Sequence, residues 1–235
     1  MNILITGCSS GIGYQTVLAF AQMGAHKITA ISRNTIGLNQ LKQDFQALGS
    51  ESTINIISFD LGQDNYDYLI SKLDYTTDNP LDILINNAGY LVNSSFMETD
   101  IEEWHKVFEV NVFASVKLIK ALYPVFNRTA GAHIVNIGSM GGVQGTAKFE
   151  GLAAYSTSKG AVNILTESLS VEFAKENIHV NAINPGAVQT KMLEEAFPGY
   201  QASISAQQMG SYIAAFAINN KGVMNGRLIQ ASLNS

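Results

Sequence analysis

Ile3-Leu4-Ile5-Thr6-Gly7-Cys8-Ser9-Ser10-Gly11-Ile12-Gly13 runs an apolar strand, a glycine loop and a helix start together. The order matters more than the glycines. After a first strand, glycines permit the tight turn and let backbone N–H groups approach a pyrophosphate, whose charge a helix N-terminus favours. The strand–loop–helix context therefore predicts that Gly7, Ser9, Ser10, Gly11, Ile12 and Gly13 contact a nucleotide. The spacing is Gly-x-x-x-Gly-x-Gly, and no Gly-Lys-Ser/Thr follows, which argues against a P-loop nucleotidase.

Beyond this loop, short apolar runs alternate with amphipathic stretches to the end of the chain. Strands are expected at Ile3–Thr6, Lys27–Ser32, Thr53–Phe59, Leu81–Asn86, His133–Gly138, His179–Asn184 and Arg227–Ala231. Helices are expected near Gly11–Met23, Leu38–Leu48, Tyr66–Leu73, Ile101–Phe126, Ala154–Lys175 and Ala206–Ile218. The strands are β-branched and apolar on both faces, as a parallel sheet covered on both sides requires. The rhythm predicts an α/β, Rossmann-type doubly wound sheet of seven mainly parallel strands, in one domain spanning residues 1–235. Gly138–Gly151 and Gln189–Ser205 are the loosest stretches.

Composition narrows the classes. Charged residues make up 14% of the chain against 46% hydrophobic, a balance that folds. A net charge of −5 argues against a nucleic-acid surface. No apolar run spans a bilayer, and the first strand begins almost at Met1, so the expectation is a cytoplasmic protein with no membrane partner. A single cysteine, Cys8, excludes an intrachain disulfide. Its place beside a helix N-terminus raises the idea of a reactive thiolate whose modification blocks cofactor entry. The four histidines lack metal-ligand spacing, so no metal is expected. Asp64 and Asp67 read as a solvated helix face.

The end of the second strand should meet the adenosine ribose. It reads Ile31-Ser32-Arg33-Asn34, with no carboxylate to grip both ribose hydroxyls. Arg33 offers a fork suited to a 2′-phosphate, with Ser32 as helper, so NADP(H) is favoured and NAD(H) left open. Asp60 and Leu61, where the third strand ends, fall against the adenine.

Four further segments come in order. Asn86-Asn87-Ala88-Gly89 ends the fourth strand, Asn111 sits in a long helical stretch, Ser139 follows an apolar strand, and Tyr155-Ser156-Thr157-Ser158-Lys159 spaces a phenol and an ammonium one helical turn apart. A unit charge about 5 Å from a phenol, at an effective dielectric near 20, is worth roughly 3 kcal/mol, or about two pKa units. One lysine thus predicts a tyrosine pKa lowered into the useful range. No histidine is placed to activate Ser139, so a serine hydrolase is rejected.

With Pro185-Gly186 and Thr190, this ordered set resembles the short-chain dehydrogenase/reductase family, in its shorter single-domain branch, from Met1 to about Ser232. The resemblance implies an NAD(P)-dependent oxidoreductase that interconverts a carbonyl and a secondary alcohol. It makes Tyr155 the general acid/base and Lys159 the residue that lowers its pKa and binds the nicotinamide ribose. Ser139 holds the substrate oxygen, and Asn111 holds a water in a proton relay. Asn87, Ala88 and Gly89 pass beneath the cofactor, and Pro185, Gly186, Val188 and Thr190 bracket the nicotinamide. It also implies a homodimer or homotetramer built on the long helix and the Tyr155 helix. Epimerisation or dehydration with retained cofactor, or dinucleotide sensing without catalysis, are the alternatives.

The chain departs from that pattern near the substrate. Ser10 stands where many NADP enzymes have a second basic residue. Gly141–Gly151 is longer than usual and the segment after Thr190 is short. Met140, Val143, Phe149, Met192, Leu193, Phe197, Pro198 and Tyr200 predict an apolar small-molecule pocket, with Lys148 and Lys191 the cations at hand.

Overall fold

A computed structural model describes residues 1–63 and 65–233; Asp64 lies outside them. Seven strands form one parallel sheet in the order β3-β2-β1-β4-β5-β6-β9. They are β1 (Asn2–Thr6), β2 (Lys27–Ser32), β3 (Thr53–Ser58), β4 (Ile83–Asn86), β5 (Ala132–Ile137), β6 (Ile178–Pro185) and β9 (Leu228–Ala231). The helices are α1 (Gly11–Gln22), α2 (Thr35–Ala47), α3 (Tyr66–Ser71), α4 (Ile101–Phe108), α5 (Ala114–Leu122), α6 (Ala153–Glu172), α7 (Lys191–Ala196) and α8 (Ala206–Asn219).

Alternation along the strands explains why the sheet is buried on both faces. Ile3, Ile5, Ile83, Ile85 and Val135 pack with Val17 and Phe20 of α1, Leu41 of α2 and Ile213 of α8. Their neighbours Leu4, Leu84 and Ile134 point the other way, onto Leu69 of α3 and Leu118 and Leu122 of α5. Successive side chains of a strand face opposite sides, so continuous apolar runs cover both.

Three expectations change. Ile101–Phe126 is not one helix: α4 and α5 are separated by a π-helical turn, Glu109–Phe113, and a 3₁₀ turn, Tyr123–Val125, ends the run. Pro124, without an N–H, cannot continue the ladder. Leu81 falls outside β4 and instead makes an isolated bridge to Phe126. The stretch Gln189–Ser205 is irregular only between residues 197 and 203. It holds α7, whose N-cap Thr190 accepts from the Leu193 N–H. Its two ends pair as a two-stranded parallel sheet of β7 (Val188–Gln189) and β8 (Ile204–Ser205).

Candidate active site

In a doubly wound sheet, ligands bind beyond the carboxyl ends of the strands where the chain order reverses. Here that point lies between β1 and β4. A cavity of about 760 Å³ opens there. Every expected cofactor contact except Gly13, and every expected catalytic residue except Asn111, lines it.

The two missing residues work from behind. Gly7 turns at φ +70° and lies so close to the start of α1 that a Cβ on Gly13 would sit 2.4 Å from Asn87 Nδ2 and 2.5 Å from Gly7 O. Gly13 is therefore a packing requirement of the loop. Asn87 Nδ2 donates to Thr6 O and Gly7 O at 2.9 and 3.2 Å, and the Thr6 hydroxyl accepts from the N–H groups of Asn87 and Ala88. These bonds fasten the end of β4 to the glycine loop. Ser10 caps α1 with extended backbone and no side-chain cap bond. Gly11 and Ile12, in the first turn of α1, line the cavity. A glycine loop and an open helix N-terminus on one cavity fit a pyrophosphate.

Arg33 is exposed on the same cavity, 3.7 Å from Asp60. A solvated pair at that distance contributes little, and leaves the guanidinium available to an incoming phosphate. Ser32 donates to Ser9 at 2.9 Å, tying the end of β2 to the loop.

Ser139 N-caps a 3₁₀ turn, Met140–Gly142, and its Oγ accepts from the Gly141 N–H at 3.1 Å. Its O–H is thereby left to donate, and Ser139 and Tyr155 line the same cavity, where the serine favours the phenolate. Tyr155 opens α6. Lys159, one turn on, is 4% exposed, with Nζ 5.7 Å from the Tyr155 ring centroid and donating to Ile137 O at 2.8 Å.

Asn111 occupies the π-helical turn, a feature common at functional sites. Its Oδ1 accepts from the Tyr90 N–H at 2.7 Å, while Nδ2 donates to Tyr90 O and to Ser158 Oγ at 2.9 and 2.8 Å. Ser158 in turn donates to Tyr155 O. A Cβ built on Gly89 would lie 3.5 Å from Asn111 Oδ1 and 3.6 Å from Lys159 Nζ. Asn111 and Lys159 thus meet at this glycine.

A profile of the short chain dehydrogenase family matches residues 1–201. The chain belongs to this family. A Drosophila melanogaster dehydrogenase/reductase SDR family protein 7-like is 35% identical over 199 residues, covering 84% of this chain. The chain spans about 60% of that relative's length. L-sorbose reductase from Gluconobacter frateurii, solved with NADPH and L-sorbose, superposes with a TM-score of 0.85 at 24% identity over 100% of this chain and 97% of its own. A Brucella melitensis 3-oxoacyl-[acyl-carrier protein] reductase, solved with NAD, gives 0.83 at 24% identity over 98% and 89%. The protein is an NAD(P)-dependent oxidoreductase of this family with its Rossmann-type fold.

Two electrostatic expectations fail. Burial pushes the Tyr155 phenol above its ordinary value, and nearby Ser139 offsets only part of that. Burial also pushes Lys159 down, to about 8. The depression expected from Lys159 alone is absent, because desolvation disfavours both charged forms. Cys8 is fully buried, its Sγ directed to Ile5 O at 3.1 Å, and burial pushes the thiol far up. The reactive-thiolate idea is overturned, since a buried thiol keeps its proton.

On the substrate side, Phe149 from the lengthened loop meets Phe197 after α7 edge-to-face, with centroids 6.2 Å apart. Met140, Leu193 and Tyr200 complete apolar walls, but Val143 and Pro198, expected there, do not line the cavity. Lys148 turns away, bonding to Val143 O and the Thr146 hydroxyl. Lys191 lines the cavity beside Glu195, 3.5 Å away. Among the residues sequence reasoning passed over are Leu91 and Leu152 in the walls, and Ser158, Asn163 and Asn184 behind them. Only Ser158 carried a signal, its place within the Tyr155–Lys159 turn.

Proposed function

We propose that the protein is an NADP(H)-preferring oxidoreductase that interconverts a carbonyl and a secondary alcohol on an apolar small molecule, with Tyr155 as general acid/base. One observation carries the reading. Ser139, Tyr155 and buried Lys159 line one cavity with the glycine loop.

The nicotinamide dinucleotide supplies or accepts the hydride. Its pyrophosphate suits the loop from Gly7 to Ile12, its adenine suits Asp60 and Leu61, and its 2′-phosphate suits the exposed fork of Arg33. Asn87 to Gly89, and Pro185, Gly186, Val188 and Thr190, line the same cavity and suit the ribose and nicotinamide. The two neighbours named above were solved with different dinucleotides, so the preference for NADP(H) rests on Arg33.

In reduction, Ser139 donates a hydrogen bond to the carbonyl oxygen and Tyr155 gives it a proton; oxidation runs the same steps backward. Lys159, with its pKa at about 8, still carries its charge at pH 7 and favours the phenolate that forms. Its proton is replaced from solvent by way of a water at Asn111. The walls built by Phe149, Phe197 and Leu193 favour an apolar substrate.

We read residues 1–235 as one catalytic unit, placed in the cytoplasm. Among the described residues no helix is long and apolar enough to cross a membrane. Ile101 on α4 and Ile164 and Val171 on α6 are exposed, which suits a homodimer or homotetramer formed on those helices. The test is Tyr155→Phe. It should lower ketone reduction by at least about 100-fold while NADPH affinity is kept. Reduction that survives the change defeats the reading.

A further inference from the structure

The turn that carries Ser139 is gripped at both ends by asparagines from two other elements. Asn184 of β6, fully buried, accepts from the Ser139 N–H through Oδ1 at 3.0 Å. Asn163, one turn beyond Lys159 on α6 and 4% exposed, donates through Nδ2 to Gly142 O at 3.2 Å. The Gly142 N–H also donates to Ser139 O at 2.9 Å. The bonds fix both amide orientations: a backbone N–H needs an oxygen opposite it and a carbonyl needs an N–H.

Each asparagine keeps one half unspent. Asn184 Nδ2 and Asn163 Oδ1 are buried without a protein partner. They are a donor and an acceptor, and both amides press on one glycine. A Cβ on Gly138 would lie 2.1 Å from Asn184 Oδ1 and 3.2 Å from Asn163 Oδ1. Packing alone would be better served there by apolar side chains. The arrangement makes sense if its value lies in where it holds the turn. This turn carries Ser139 into the cavity that Tyr155 also lines, and a hydroxyl acting on a reacting oxygen must be held within roughly 0.5 Å.

We infer that Asn163 and Asn184 are positioning residues for Ser139, clamping its turn against β6 and α6 so that the hydroxyl is aimed beside Tyr155. The inference rests on the reading of Ser139 given above. It assigns the pair to turnover and not to cofactor binding.

A double-mutant cycle with NADPH tests it, using the fastest ketone of a panel from acetophenone to bulky bicyclic ketones. Asn184→Ala should lower kcat at least tenfold, with KM within about threefold and NADPH affinity within about twofold. In a Ser139→Ala background the same change should cost less than about twofold. Asn184→Asp, which keeps the acceptor, should stay within about threefold of the parent. Asn163→Ala loosens the other end and should give the same pattern; it stands in if Asn184→Ala does not fold. Equal losses in both backgrounds, or lost NADPH affinity, overturn the clamp. Ser139→Ala turning over at the parental rate overturns the reading of Ser139 and the clamp with it. Hydrogen exchange of the cofactor-free protein gives a readout without turnover. The Ser139 amide should exchange at least about tenfold faster in Asn184→Ala while the sheet is unchanged, and an unchanged Ser139 amide also overturns the clamp.

Discussion

Lys159→Met isolates the penalty for burying an ammonium in the candidate site. Lys159 falls from 10.5 in its ordinary state to about 8 in the folded protein, and burial is the cause. The difference, 10.5 − 8, is about 2.5 units, or roughly 3 kcal/mol. The folded value is the lower one, so between pH 8 and 10.5 the unfolded chain binds more protons. Stability gained from this residue therefore rises with pH across that window. Below it the full penalty applies, and above it none. Absolute comparison of the two proteins is clouded, because methionine also leaves Ile137 O without its donor. That loss is the same at every pH and cancels in the slope. The assay is urea unfolding of both cofactor-free proteins at half-unit steps from pH 7 to 10.5. The stability difference, parent minus variant, should climb by about 3 kcal/mol, equivalent to roughly 6–12 °C in Tm. Tyr155, whose phenol is held protonated past its ordinary value, is present in both and drops out of the difference. A flat or falling difference refutes the desolvated ammonium, and with it the explanation of why Tyr155 is not lowered.

Arg33→Ala should cut the ratio of kcat/KM for NADPH over NADH by roughly tenfold to a hundredfold, the worth of a charge-assisted bond; an unchanged ratio removes Arg33 from cofactor choice. Phe149→Ala opens the wall where two rings meet, so bulky ketones should gain in kcat/KM relative to acetone-sized ones, read from paired substrate titrations. Iodoacetamide at pH 8 should leave Cys8 unmodified in the native protein and label it in urea, as mass spectrometry reads; rapid native labelling contradicts its burial.

What could be read along the chain was whatever local spacing carries. The glycine loop is contiguous, the strands are uninterrupted apolar runs, and Tyr155 and Lys159 are neighbours on a helix by count alone. The π-helical turn at Asn111 was not readable, because its bonds reach Tyr90, 21 residues away, and Ser158, 47 residues away. The strands β7 and β8 have two residues each, too short for any periodicity. Asn163 and Asn184 look like ordinary polar positions until the fold brings Ser139 between them.

The two electrostatic failures share one physical origin. Sequence shows which charges are neighbours but not how much water each one loses. Cys8 sits next to a helix start, yet its thiol points into the core; Lys159 sits beside Tyr155, yet desolvation disfavours the charged form of each. At Tyr155 burial opposes the phenolate and a charge favours it, so the balance depends on what shares the chamber. Lys159 and Ser139 alone do not tip it. On the proposed reading, the remaining positive charge would come with the oxidised nicotinamide, and Tyr155 would serve as base only when the chamber is filled for oxidation. In reduction the same imbalance would help, since on that reading a phenol that holds its proton would reach the carbonyl still protonated and give it up as the alkoxide forms.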